Sequence, residues 1–192
     1  MKKKVLLINS DYFEEVYGKS KQRGALSRGL PVLGLACIAA PLAKAGHEVA
    51  ILDLNLYANS KEILIKKLKD LKPEIIGLTA TTAVAHKIVD IAKTAKDVLP
   101  DVTIVAGGPH PTAVPENLLE NSRIDVVVLG EGDKIFQAIV ETQDLKEVPN
   151  IYYKKNGAIA HSQIMDEGIK DLDALEFPAY FLYDIPKYIM PR

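Results

Sequence analysis

Five short apolar runs, at residues 5–8, 49–52, 75–78, 103–106 and 126–129, are each followed by a helical pattern. The runs are continuous rather than alternating, as in strands covered on both faces of a parallel sheet. Strand–helix alternation of this kind selects right-handed crossovers and helices on both sides of the sheet. The pattern predicts an α/β, doubly wound, five-stranded parallel sheet, flavodoxin-like or more broadly Rossmann-like, of order 2-1-3-4-5.

Helices are expected over residues 31–45, 60–71 and 83–98, with a short one from Pro115 and another from Asp133 to about Glu141. The first is apolar almost all round, which predicts burial, and Pro41 inside it is expected to bend or shorten it. Beyond the fifth unit the pattern changes. Residues 151–160 place Asn156-Gly157 between two short apolar stretches, the signature of a β-hairpin. The last stretch holds Pro178, Pro186 and Pro191 among aromatics without a steady period, and reads as an extended linker or strap. The expected divisions are an α/β domain at 1–145, a hairpin appendage at 146–165 and a linker at 166–192.

Bulk composition narrows the function. With 24 basic and 25 acidic side chains there is no basic excess, which argues against nucleic acid as a partner. Cys37 is the single cysteine, so neither an internal disulfide nor a four-cysteine metal site can form. Its small apolar neighbours predict a core position. No window approaches the ~20 apolar residues of a membrane span, and the N-terminal lysines precede too short an apolar run for a signal peptide. The expectation is a cytoplasmic protein with no membrane partner.

In an open α/β sheet, ligands bind outside the carboxyl ends of the strands. Four loops lie there. The first runs from Asn9 to Leu30, far longer than the ~2–6 residues usual for such loops, and offers Asn9, Ser10, Asp11, Tyr12, Lys19, Lys21, Arg23 and Arg28. It reads as functional, or as a solvated loop that a partner orders. The second is Thr79-Ala80-Thr81-Thr82, whose hydroxyls and helix N–H groups suit an anion or simply cap a helix. The third, Gly107-Gly108-Pro109-His110, lets the backbone pass close to a ligand, or is only a turn with a surface histidine. The fourth, Gly130-Glu131-Gly132 before Asp133, holds one carboxylate near the rim, or sets it against a helix start.

These loops lack the marks of other users of the fold. A receiver domain needs an aspartate where Thr79 ends the third strand. A flavodoxin needs a hydroxyl-rich first loop, where this chain has Asp11-Tyr12-Phe13-Glu14-Glu15. Neither G-x-G-x-x-G nor G-x-x-x-x-G-K is present. No nucleophile–base pair, catalytic residue or protein metal ligand is legible.

Taken together, Pro31-Val32-Leu33-Gly34-Leu35, Ala45-Gly46-His47-Glu48-Val49, Gly107-Gly108-Pro109-His110 and Gly130-Glu131-Gly132-Asp133 resemble the N-terminal, cobalamin (B12)-binding domain of the cobalamin-dependent radical SAM family. That family includes methyltransferases and anaerobic magnesium-protoporphyrin ester cyclases. Leu172-Asp173-Ala174-Leu175-Glu176-Phe177-Pro178-Ala179 is similar to the family's segment leading to the catalytic barrel. The resemblance implies that cobalamin's nucleotide tail enters a crevice beside strands 1 and 3, with the corrin ring across the carboxyl edge. It implies contacts from Asn9, Ser10, Thr79, Ala80, Thr81, Thr82, Gly107, Gly108, Pro109, His110, Gly130, Glu131 and Gly132.

Two departures stand out. Many cobalamin proteins carry D-x-H-x-x-G after strand 1, whereas residues 9–30 here contain no histidine. Cobalamin is then expected without a histidine ligand from this loop. The C-x-x-x-C-x-x-C motif that holds the family's [4Fe–4S] cluster is also absent. S-adenosylmethionine and the cluster are expected only in a catalytic domain in cis, outside this sequence, and the chain alone is not expected to catalyse radical chemistry. The competing readings are an interaction domain that keeps the fold without the cofactor, and a small-molecule hydrolase or transferase. The sequence further predicts that Gly108→Val blocks the cofactor and spares the fold.

Overall fold

The computed structural model describes residues 1–11, 30–165, 171 and 173–188. Tyr12, Lys19, Lys21, Arg23 and Arg28 of the first loop lie outside them, as does Leu172.

The five apolar runs form β1 (Lys4–Asn9), β2 (Glu48–Asp53), β3 (Ile75–Thr79), β4 (Thr103–Gly107) and β5 (Val126–Val128). They pair in parallel in the order β2-β1-β3-β4-β5, as the alternation predicts. The order reverses at β1, which sends successive helices to opposite faces. Leu6 and Ile8 of β1 face one core with Leu64, Leu68, Ile76 and Ile88, whereas Val5 and Leu7 face the other with Leu35, Leu42, Phe136 and Ile139. Every second residue of a strand thus feeds a different core, which is why the runs show no polar alternation.

Five helices match the sequence pattern: α1 (Leu33–Lys44), α2 (Ser60–Leu71), α3 (Ala85–Val98), α5 (Pro115–Glu120) and α6 (Asp133–Glu141). Helix α4 (Pro109–Ala113) stands where the sequence pattern predicts only a loop, since Pro109 and Pro111 in its first turn are also turn residues. Pro41 does not shorten α1, which runs on to Lys44. Cys37 departs from the core expectation: it is half-buried, on a cleft lined by α1, α6 and residues 174–176.

The hairpin is β6 (Ile151–Lys155) and β7 (Ala158–His161). Asn156 and Gly157, at φ of 51° and 81°, supply the two left-handed residues of a tight hairpin turn. It does not stand apart as an appendage: β6 pairs antiparallel with β5, Val127 opposite Tyr152, to give one sheet of seven strands. Ile151 and Tyr153 on β6 join the α1–α6 core, and that burial fixes the hairpin to the β5 edge.

Residues 173–188 run alongside α1, with the turn at Tyr180–Leu182 also against β2. Lys44 Nζ meets Glu176 Oε1 at 2.5 Å, the Ala179 amide donates to the Ala36 carbonyl at 2.9 Å, and the Tyr183 hydroxyl donates to the Val32 carbonyl at 2.9 Å. The strap therefore follows α1 from its last turn to its first. No described helix is long and apolar enough to cross a membrane.

Candidate functional site

The carboxyl ends of the strands come level because the sheet register holds Asn9 beside Asp53 on one side and beside Thr79 on the other, with Thr79 beside Gly107. Under this rim, on the α1–α6 face, lies a cavity of about 170 Å³. Its sheet wall is Gly77 to Thr79 of β3, Val105 and Gly107 of β4 and Val128 of β5; its helix wall is Val32, Gly34, Leu35 and Ile38. Gly130 to Asp133 and Phe136 close the far side. β1 reaches the cavity only through Leu7, so the slot is centred on β3 to β5 rather than on strands 1 and 3.

Glycine makes this space. A Cβ on Gly34 or Gly130 would have no neighbour within 4 Å, and one on Gly107 would meet only Val128 Cβ at 3.8 Å. All three line the cavity, so the space left by their missing side chains adjoins it. Gly108 differs. Its φ is +96°, and an added Cβ would lie 2.9 Å from Thr79 Oγ1 and 3.2 Å from the Ala80 carbonyl. That conformation is close to glycine-only. Gly108→Val would therefore strain the fold as well as the slot, and the sequence-based expectation of an intact fold is withdrawn.

Six of the predicted site residues line the cavity: Thr79, Gly107, Gly108, Gly130, Glu131 and Gly132. Ala80, Thr81, Thr82, Pro109 and His110 stand around its rim. Ala80 is buried and brackets the β4 loop, its amide donating to Gly107 and its carbonyl accepting from the His110 amide. Thr81 and Thr82 are exposed, and Thr81 caps the following 3-10 turn without a side-chain hydrogen bond, so the capping alternative finds no support there. His110 Nδ1 lies 3.4 Å from Thr82 Oγ1, and Pro109 begins α4. The Gly130 amide donates to Thr112 Oγ1 at 3.2 Å, which ties the fourth loop to α4.

Asn9 and Ser10 are buried at the β1 end, away from the cavity. Asn9 Nδ2 donates to Asp53 Oδ1 at 2.9 Å, and Asp53 also accepts from the Asn55 amide at 3.0 Å and the Tyr188 hydroxyl at 2.8 Å. Burial pushes the Asp53 carboxyl up, against the lowering effect of those three donors. Burial, with the Asp53 charge second, pushes the Tyr183 and Tyr188 phenols up, so both stay protonated donors. The sequence reading missed this cluster, together with the helix wall and Phe136. The glycine of α1 was a usable signal for the wall, since Gly34 interrupts an otherwise apolar first turn. Tyr183 and Tyr188 lie in an aperiodic stretch that gives no comparable sign.

Among the described residues no group of acidic, histidine or cysteine side chains is arranged to hold a metal ion. The arrangement is a narrow, mostly apolar slot with glycine backbone and the Thr79 side chain along its lining, a shape that suits an apolar organic group.

Residues 27–140 match the B12 binding domain family. The chain is 34% identical over 163 residues to the uncharacterized methyltransferase PH0819 of Pyrococcus horikoshii, covering 82% of this chain and 35% of that protein. It is 31% identical over 167 residues to the anaerobic magnesium-protoporphyrin IX monomethyl ester cyclase of Synechocystis sp., covering 83% and 33%. It thus spans about a third of the length of these relatives. Among solved structures, the cobalamin-dependent S-adenosylmethionine radical enzyme OxsB with aqua-cobalamin bound superposes with a TM-score of 0.74 at 19% identity, over 97% of this chain and 25% of that one. The radical S-adenosylmethionine methyltransferase TsrM of Kitasatospora setae, with cobalamin and a [4Fe-4S] cluster bound, gives 0.68 at 20% identity, over 93% and 31%.

Proposed function

Because this chain belongs to the B12-binding domain family, we propose that its glycine-lined slot takes the nucleotide arm of cobalamin and that it serves as the cofactor-carrying part of a radical SAM enzyme. The observation that carries the placement is the open space facing Gly34, Gly107 and Gly130 at the carboxyl rim. Backbone without side chains can approach a bulky ring closely from three sides. Thr79, Gly107, Gly108, Gly130, Glu131 and Gly132 hold the arm in this reading. Ala80, Thr81, Thr82, Pro109 and His110 form the rim beneath the corrin, with Asn9 and Ser10 at the neighbouring β1 end.

When bound, cobalamin supplies a cobalt centre that carries a methyl group or shuttles electrons. The chain's own residues bind and orient it and keep water from the buried arm. The loop after β1 contains no histidine, so it offers cobalt no imidazole. S-adenosylmethionine and an iron–sulfur cluster belong to a catalytic domain in cis. The relatives, about three times as long, support that partner. Methyl transfer and oxidative ring closure are both compatible with it.

Hydroxocobalamin titrated into the protein is expected to give a base-off visible spectrum that saturates near one equivalent. A flat difference spectrum with an unchanged melting temperature would instead favour an interaction domain that has kept the fold without the cofactor. The cis partner is checked in the gene: a C-x-x-x-C-x-x-C motif in the same reading frame is the expected result.

A further inference from the structure

The slot is narrow. Its volume of about 170 Å³ falls below the roughly 300–1,000 Å³ of small-molecule sites. A bulky arm seats more fully if one wall gives way.

The sheet wall cannot, since β3 and β4 are paired on both sides. The α6 wall cannot easily, since Phe136 packs so closely on Gly77 that a Cβ there would lie 2.8 Å from its ring. Helix α1 is different. Its body packs on α6, β1 and β2, but its first turn carries Gly34 at the slot mouth, where an added Cβ would have no neighbour within 4 Å. The strap holds it through Ala179 and Tyr183, both buried. The Tyr183 hydroxyl grips the carbonyl of Val32, which itself lines the slot. Tyr188 then fastens the end of the strap to Asp53 on β2.

We propose that residues 173–188 are a clamp that holds the first turn of α1 in the narrow-slot position, and that seating the cobalamin arm moves this turn outward and loosens the strap. Tyr183 is the positioning residue. Strap docking and cofactor binding then oppose one another, and by linkage each weakens the other by the same factor. The Val32 carbonyl keeps a partner when the strap lifts, because the Ala36 amide already donates to it at 3.3 Å. The clamp can therefore open without orphaning a buried acceptor.

The inference rests on the cobalamin reading, and the test separates the two. Hydroxocobalamin uptake is followed by stopped-flow absorbance in wild type, Tyr183→Phe and Tyr188→Phe. Tyr183→Phe keeps the ring and removes one hydrogen bond, so uptake is expected to quicken on the order of fivefold, with a smaller gain for Tyr188→Phe. Hydrogen exchange at the Ala179 and Tyr183 amides is expected to speed up in wild type on adding cobalamin. Without cofactor, exchange over residues 35–39 is expected to be faster in Tyr183→Phe than in wild type. Wild type that binds cobalamin at a rate indifferent to Tyr183, or a strap that becomes more protected on binding, overturns the clamp and leaves the cobalamin reading standing. No uptake by any variant overturns both.

Discussion

At the residue scale the glycines divide by what surrounds them. Gly77 and Gly108 are enclosed, the first by Leu7 and Phe136, the second by Thr79 and Ala80, while Gly107 and Gly34 face the slot. Gly77→Ala and Gly108→Ala are each expected to cost about 1–3 kcal/mol, one by overpacking and one by backbone strain. Gly107→Ala should stay near wild-type stability; urea unfolding of the three variants checks the ordering. Asp53 gives a pH prediction. Its folded-state pKa lies above the ordinary 3.8, chiefly through burial, so the folded protein holds this proton more tightly than the unfolded chain. Its contribution to stability is fully present below the unfolded value and is lost as pH rises through the folded one. Asp53→Asn, whose amide can still reach Tyr188, should gain melting temperature relative to wild type across that rise and hold a constant lead above it.

At the scale of elements, Gly34 sits in the first turn of α1 with open space before it. Gly34→Leu is expected to leave the helix at least as stable, since leucine is favoured over glycine by up to roughly 0.8 kcal/mol in a helix interior. It should nonetheless fill the slot and lower cobalamin affinity at least tenfold, a pairing that a thermal melt and a spectral titration read together. The five strands and their order were legible because residues buried on both faces leave continuous apolar runs and connections follow one handedness. Helix α4 was not, because Pro109 and Pro111 serve a turn as well as a helix start. The docking of β6 on β5 was not either: Asn156-Gly157 specifies a hairpin but not the edge it joins. The rim loops were found from the strand ends, yet the slot's second wall comes from α1, whose uniform apolarity says that it is buried and not against what. The strap's anchors are tyrosine hydroxyls bonded to a backbone carbonyl and to a carboxylate, contacts that leave no periodicity.

For the whole molecule, ligand and fold share one free-energy balance. Cobalamin held at a hundred times its dissociation constant is expected to stabilise the chain by about 2.7 kcal/mol. For a protein of 192 residues that is a rise in melting temperature of about 5–10 °C, at roughly 2–4 °C per kcal/mol. Differential scanning fluorimetry across a cobalamin series checks it, and Gly34→Leu should flatten the curve. The near-balance of charge, 24 basic against 25 acidic, predicts that salt changes this affinity little, since no large field draws the cofactor in.

The Phe136 ring rests on Gly77, where any larger residue would collide with it. That contact makes an aromatic plate on the far side of the slot, packed on the sheet within the apolar core. A guest can press on the plate without wetting or prising apart the layer beneath. Filling and emptying the domain should therefore be repeatable, each cycle leaving the folded scaffold as it was.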